Sequence, residues 1–405
     1  MNIQEITVAV ALRANLPILL EAREGTGKST FSETLVTESL GWKFHPWILS
    51  QLDPTIIGGM PHKIDKEING VVYPVIRRTP DEAFVETALD TDGIHVHMFD
   101  EFSNATGTQR STMLDLVTGY RAGGYKMPRQ TRFMAAMNPA NCAVVYHDMA
   151  PPTSTRWCWL KWEPAYDRES WRTGMLTGWQ VPVAPKLAEN WEAHIPTARA
   201  MLVGFEKRDP TVFHEGFILG QNGDLSCPNP AQWLNRPRAN PRTLEMAAKA
   251  YASTLGLMLP AGQVTAVRSN LLKGILGDAS GRALLEYLTY SRDVPSPEEV
   301  LADPTGIDLR EMRSDLKYLV ASSVGAFVRG LVVNERNTSA DMWGRGLSFV
   351  GHLEDQGLGD MATMCAGLFL TSEVGFPKNA KPPKNTIAKL MPTLREMRDI
   401  AAGEK

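Results

Sequence analysis

One stretch near the start of the chain constrains the rest: Leu16 to Thr30 reads L-P-I-L-L-E-A-R-E-G-T-G-K-S-T. The apolar run Ile18 to Leu20 predicts a short strand, Gly25 and Gly27 a tight loop, and the pattern from Lys28 to Leu40 a helix. Strand, glycine loop, Lys-Ser and helix in that order are the Walker A arrangement. Residues Glu24, Gly25, Thr26, Gly27, Lys28, Ser29 and Thr30 would surround phosphates. Glycines let backbone N–H groups close on the anion, the helix N-terminus adds a favourable dipole, Lys28 reaches the terminal phosphates and Ser29 ligates magnesium. Ala22 stands where the pattern has its first glycine, which alanine tolerates if the backbone there is not left-handed. A nucleoside triphosphate is the expected ligand.

At 405 residues the chain has room for two or three domains. Apolar residues make up 43% and charged residues 21%, as in ordinary globular proteins, and the formal net charge of −3 offers no general attraction to nucleic acid or anionic membrane. Cys142, Cys158, Cys227 and Cys365 are scattered without metal-ligand spacing and read as reduced thiols. Met1 to Ala14 lacks the pattern of a signal peptide, and no apolar run approaches membrane-spanning length: the best candidate, Leu319 to Val333, is broken by Ser322, Ser323 and Arg329. A cytoplasmic protein is the expectation.

Ile3 to Ala14 has helical spacing and should pack beside the first strand. Lys43 to Leu49 predicts a second strand, placed at an edge by Pro46. Within Gln51 to Arg78, the run Val71, Val72, Tyr73, Val75 and Ile76 suggests a hairpin, and T-P-D-E at Thr79 opens a helix to Leu89. Ile94 to Glu101, I-H-V-H-M-F-D-E, is an apolar strand ending in two acids. This is the Walker B pattern, in which Asp100 holds magnesium largely through water and Glu101 acts as general base. His95 and His97 share a face of that strand, as hydrogen-bonded core residues or as a metal pair. Ser103 to Gly119 reads as a helix, and Gly119 to Arg129 as a hairpin whose cations Arg121, Lys126 and Arg129 suit either a solvated turn or a partner contact. Thr131 to Met137 and Trp157 to Trp162 complete five core strands. From Pro164 onward helices dominate: Arg168 to Met175, Glu189 to Phe205, Pro241 to Leu255, Val264 to Leu276, Gly281 to Tyr290, a capped start at Ser296, Ser314 to Val332, Asp360 to Leu370, and an amphipathic end at Ile387 to Ala402.

This order of motifs resembles an AAA+ ATPase, and within that group the MoxR family. The similar segments are A-R-E-G-T-G-K-S-T, M-F-D-E-F-S-N-A-T-G-T-Q-R, F-M-A-A-M-N-P-A-N, S-T-R-W and N-P-R-T-L-E-M-A-A-K-A, spread over roughly Leu16 to Gly256. The resemblance implies that Asn138 (sensor 1) positions the attacking water, that Arg156 is an arginine finger for the neighbouring subunit's ATP, and that Arg242 (sensor 2) contacts the γ-phosphate. Thr155 and Trp157 flank Arg156 where the family has Asp and Phe, and the segment between Asn138 and Arg156 lacks its Gly-Tyr-Pro wording.

The expected architecture is α/β: an αβα P-loop NTPase domain of AAA+ type with a five-stranded parallel sheet over residues 1–163, a helical lid over 164–295 and a helical extension over 296–405. The resemblance implies an ATP- and Mg2+-dependent remodelling or chaperone ATPase. It would act as a homo-oligomeric ring, a hexamer in the family, on a protein client, beside a possible partner with a von Willebrand A domain and without a membrane. A nucleotide-gated scaffold, hinted at by Ala22, and a DNA-associated ATPase, hinted at by the cationic hairpin, are the alternatives. No N-K-x-D guanine motif is present.

Overall fold

The short apolar runs pair as one parallel sheet. A computed structural model describes every residue except 143–145, 163–167, 220–224, 228–229, 291–293, 335–338, 371–373, 375, 382–389 and 396–405. After helix α1 (Ile3–Arg13), the core strands are β1 (Ile18–Glu21), β2 (Lys43–Ile48), β5 (His95–Asp100), β8 (Arg132–Met137) and β9 (Cys158–Lys161). Their order is β2-β5-β8-β1-β9, all parallel, with Pro46 on an edge strand as expected. Two hairpins interrupt the series. β3 (Met60–Ile68) and β4 (Val71–Thr79) turn at Asn69-Gly70, both at positive φ, while β6 (Arg121–Ala122) and β7 (Tyr125–Lys126) turn at Gly123-Gly124. An Asn-Gly pair between two alternating runs is the sequence signal for the first turn.

Apart from the edge strand β2, the sheet is buried on both faces, as parallel sheets are. Leu19, Phe99, Phe133 and Trp159 point into a core with Ile57 of α3 (Pro54–Gly58), Phe84 of α4 (Glu82–Leu89) and Met113 and Leu116 of α5 (Gly107–Gly119). Ile18, Leu20, Met98, Ala136 and Cys158 alternate with these and are equally buried. α1 and α10 (Ala261–Leu276) pack against β9. Helices α4 and α5 start later than the sequence suggests. α4 begins only at Glu82, the last residue of T-P-D-E, because Thr79 completes β4 and Asp81 is the cap, its Oδ1 accepting from Ala83 N–H at 3.0 Å. α5 begins at Gly107, not Ser103, because Thr106 and Gln109 form a reciprocal capping box.

His95 and His97 are core residues in a directed hydrogen-bond network between β2, β5 and α4. Trp47 Nε1–H donates to His97 Nδ1 (3.1 Å), so the ring's proton sits on Nε2, which faces Thr87 Oγ1 at 3.0 Å. At the other end, Asp90 accepts from His95 Nε2–H (2.9 Å), leaving His95 Nδ1 to accept from His45 Nε2–H (2.9 Å). Lys43 donates to the same carboxylate at 2.8 Å. Among the described residues no three His, Cys, Asp or Glu side chains are grouped to hold a metal ion.

Complete burial, and then the neighbouring imidazoles, push His97 well below its ordinary value. Burial, then His95, lowers His45. Below the ordinary imidazole value near 6.5 the unfolded chain therefore binds protons that these rings refuse when folded. Stability is fully present above that pH and falls as pH drops below it, by about 1.4 kcal/mol per pH unit for each ring kept neutral. Unfolding midpoints between pH 7 and 5 should show this slope. His97→Gln, which retains an acceptor for Trp47, should remove about one proton from it; an unchanged slope would exclude His97 as its source.

The chain divides into two compact units, residues 1–189 with 214–282, and 190–213 with 283–405, so the expected lid segment contributes to both. The first holds the sheet with α6 (Pro151–Ser154), α7 (Arg168–Thr177), α9 (Pro241–Thr254) and α10. The second holds α8 (Ile195–Arg208), α12 (Pro297–Ala302), α13 (Ser314–Asn334), α14 (Ala340–Asp355) and α15 (Gly359–Phe369), with α11 (Asp278–Tyr290) crossing the division. Its core gathers Leu301, Val320, Val324, Val328, Trp343, Phe349, Leu353 and Phe369. By length and composition α13 could cross a membrane, a correction to the sequence reading, though half of its apolar window is buried inside the protein. α14 had no counterpart in the sequence reading, because Gly344, Gly346 and Gly351 thin out its apolar stripe. The amphipathic end expected at Ile387 to Ala402 lies mostly outside the described residues.

Candidate nucleotide site

Sheet order determines which side chains meet. β8 lies between β1 and β5, and the register pairs Glu21 with Met137 and Ala135 with Phe99. The chain therefore leaves β1, β8 and β5 at one edge, with Asn138 between the glycine loop and the acidic pair. Ligands of open α/β sheets bind at this carboxyl edge.

Gly25 and Gly27 have φ of +70° and +77°, the conformation that only glycine adopts without strain. Ala22 is outside the left-handed region, which removes any need for glycine there. Gly27 caps α2 (Lys28–Thr34), which continues as a wider turn through Leu35–Ser39. Lys28 is only 8% exposed and its ammonium uses three donors: Ala22 O (2.6 Å), Arg23 O (2.9 Å) and Asn138 Oδ1 (3.0 Å). Burial lowers its pKa, while Asp100 and Glu24 act in the opposite sense. Ser29 Oγ donates to Asp100 Oδ2. Residues from three separate sequence motifs thus join in one hydrogen-bonded group. Hydroxyl and carboxylate oxygens are hard donors that fit Mg2+, so Ser29 and Asp100 are the residues that would hold it.

Glu101 is in the left-handed region, with φ +57° and ψ +38°, and its backbone N–H donates to Asp100 Oδ1 at 2.8 Å. A glutamate so placed stores strain of order 1–3 kcal/mol, the kind found at functional sites. The turn following β5 takes this form as Phe102–Asn104 close a single 3-10 turn.

Arg156 follows α6 and is held away from this group: Nε donates to Thr118 Oγ1 at 2.7 Å, and Nη1 donates to Pro152 O. Burial lowers its pKa, and the charge of Arg242 lowers it further. The two arginines therefore lie within electrostatic reach of each other. Arg242 is exposed in the first turn of α9, after a reciprocal cap between Asn240 and Thr243. Lys28, Ser29, Asp100 and Asn138 are brought together, and Arg156, bonded to Thr118 and Pro152, and Arg242, at the start of α9, lie outside that hydrogen-bonded group. Thr26 donates from Oγ1 to Arg23 O (2.9 Å), bracing the loop, and Thr30 is exposed.

Trp162 and Arg110 escaped the sequence reading. Trp162 Nε1–H donates to Thr26 O at 3.1 Å, and its ring centroid is 4.5 Å from that of Phe31 in α2, so the residue that follows β9 braces the glycine loop. The only signal for either was its type: a tryptophan ending a strand, and an arginine inside an otherwise ordinary helix start.

No family model and no curated protein matches the chain. Among solved structures it is similar to a candidate ATPase from Cytophaga hutchinsonii, at 12% identity and a TM-score of 0.42, covering 71% of this chain and 91% of that one. It is also similar to a full-length MCM homolog from Methanopyrus kandleri, at 13% identity and a TM-score of 0.31 over 70% and 54% of the two chains. NtrX from Brucella abortus is a third, at 11% identity and a TM-score of 0.22 over 90% and 67%.

Proposed function

We propose that the chain is an ATP-hydrolysing remodelling enzyme of AAA+ type, similar to the MoxR family. It would work in the cytoplasm as a homo-oligomeric ring, a hexamer on the family pattern, on a protein client and beside a possible von Willebrand A domain partner. The observation that carries the catalytic part is the hydrogen-bonded group at the sheet edge, where Lys28 meets Asn138 and Ser29 meets Asp100.

Each residue has a task that its position permits. Lys28 exchanges loop carbonyls for phosphate oxygens, and the glycine loop offers its N–H groups to the same anion. Ser29 and Asp100 would hold Mg2+, which when bound would neutralise charge developing on the phosphates. Glu101 accepts a proton from the attacking water, and Asn138 orients that water as Lys28 releases its amide oxygen. Arg156 and Arg242 supply positive charge at a subunit boundary.

The test is phosphate release by the purified chain with ATP and Mg2+, alongside nucleotide affinity. Binding with no turnover would favour a nucleotide-gated scaffold. DNA is expected to change turnover by less than about twofold at near-physiological salt, because the net charge is −3 and Arg129, one of the three hairpin cations, sits over the Tyr120 ring at 4.8 Å. A several-fold, salt-sensitive stimulation by DNA would support the DNA-associated reading.

A further inference from the structure

We propose that Arg110 is a positioning residue for hydrolysis. Together with Asn235 it would fix the Glu101 turn against the segment that leads to Arg156 and the turn that leads to Arg242. The inference rests on Glu101 being the general base.

Arg110 lies on the first turns of α5 and is 5% exposed. All four of its side-chain hydrogen bonds go to backbone carbonyls. Nη2 reaches Phe102 O (3.2 Å), Ser103 O (3.1 Å) and His147 O (2.8 Å), and Nη1 reaches Asp148 O (2.7 Å). Two of these carbonyls belong to the residues directly after Glu101. The other two precede Pro151–Ser154, the helix that delivers Arg156. His147 N–H donates to Ser103 O at 3.1 Å and closes the same junction from the backbone side. A buried guanidinium whose planar fork spans two chain segments is a rigid cross-link. Burial lowers its pKa, and the nearby Tyr146 and Asp148 act against that.

The cross-link extends beyond Arg110. Asn235 has φ +56°, and it clamps the next residue pair: Met149 N–H donates to its Oδ1 (2.5 Å), its own N–H donates to Met149 O (3.1 Å), and its Nδ2 donates to Asp148 Oδ1 (2.6 Å). From Asn235 the chain runs within seven residues to Arg242. The turn directly after Glu101, the segment 147–149 that leads to the finger helix and the Asn235 turn that precedes α9 thus share one set of hydrogen bonds, with Arg110 and Asn235 as its two side-chain nodes. A change in any of the three segments must be accommodated by the other two or break these bonds.

The test compares Arg110→Lys, Asn235→Ala and the double variant with the unmodified protein, measuring kcat, the KM for ATP, nucleotide affinity and the unfolding midpoint. Lysine keeps the charge but cannot span both segments. Expected is a fall in kcat of about tenfold for each single variant, with KM and affinity within about twofold, and a double variant little worse than either single one. Glu101→Gln in the same assay separates the premises: if the unmodified protein hydrolyses ATP without depending on Glu101, the base assignment fails. If hydrolysis depends on Glu101 but Arg110→Lys retains full kcat, the positioning role fails. Additive effects in the double variant, or a kcat loss matched by a loss of affinity, would also overturn it. If Arg110→Lys does not fold, Asn235→Ala decides alone: a selective kcat loss supports the coupling and an unchanged kcat refutes it.

Discussion

Glu101→Gln is expected to bind ATP within about twofold of the unmodified protein and to lose hydrolysis by about 10²–10⁴-fold, the range for removing a general base. Glutamine is nearly isosteric and can occupy the left-handed backbone as readily as glutamate, so the turn after β5 should persist and only proton acceptance is lost. Lys28→Ala should give the opposite pattern, with nucleotide binding itself abolished. The Lys28 ammonium is almost enclosed, with all three donors committed to Ala22, Arg23 and Asn138. Its removal leaves two loop carbonyls and an amide without their donor and deprives the site of its cation. Titration of a fluorescent nucleotide, with phosphate release measured in parallel, separates the two effects. Substantial turnover by the Glu101 variant would remove that residue as the base, and intact binding by the Lys28 variant would remove the glycine loop as the phosphate site.

Local chemistry was legible where it repeats along the chain. Apolar runs ending at Leu20, Asp100 and Met137 announced buried parallel strands, and Pro46 announced an edge. Gly25 and Gly27 occupy the left-handed positions that the motif required. The sequence could not show that Lys28 touches Asn138, because that contact follows from β8 inserting between β1 and β5, a property of sheet order with no local signature. Arg110 was invisible for the same reason. Its partners are carbonyls, which any residue offers, on segments brought together only by the fold. The His45, His95 and His97 network was half legible: period-2 spacing placed two rings on one face of β5, while the third came from its neighbour β2 by parallel register.

Arg156 is expected to act in trans, on a nucleotide bound by a neighbouring subunit. Its side chain is anchored to Thr118 and Pro152, outside the hydrogen-bonded group of Lys28, Ser29, Asp100 and Asn138. It also lies near Arg242, a like charge that an anion from outside would relieve. A cation brought to the γ-phosphoryl group stabilises charge developing there, an effect worth roughly 10³–10⁵ in rate where fingers have been studied. Arg156→Ala should therefore depress hydrolysis far more than ATP affinity. Subunit mixing separates trans from cis action. Arg156→Ala and Glu101→Gln subunits should each be nearly inactive alone, yet a ring containing both would form interfaces that pair the intact Glu101 of one subunit with the intact Arg156 of the next. Activity should rise to a maximum at intermediate mixing ratios. If rings verified to exchange subunits recover nothing at any ratio, Arg156 supplies no charge across the interface, and its bonds to Thr118 and Pro152 become its role: bracing the end of α5 against α6.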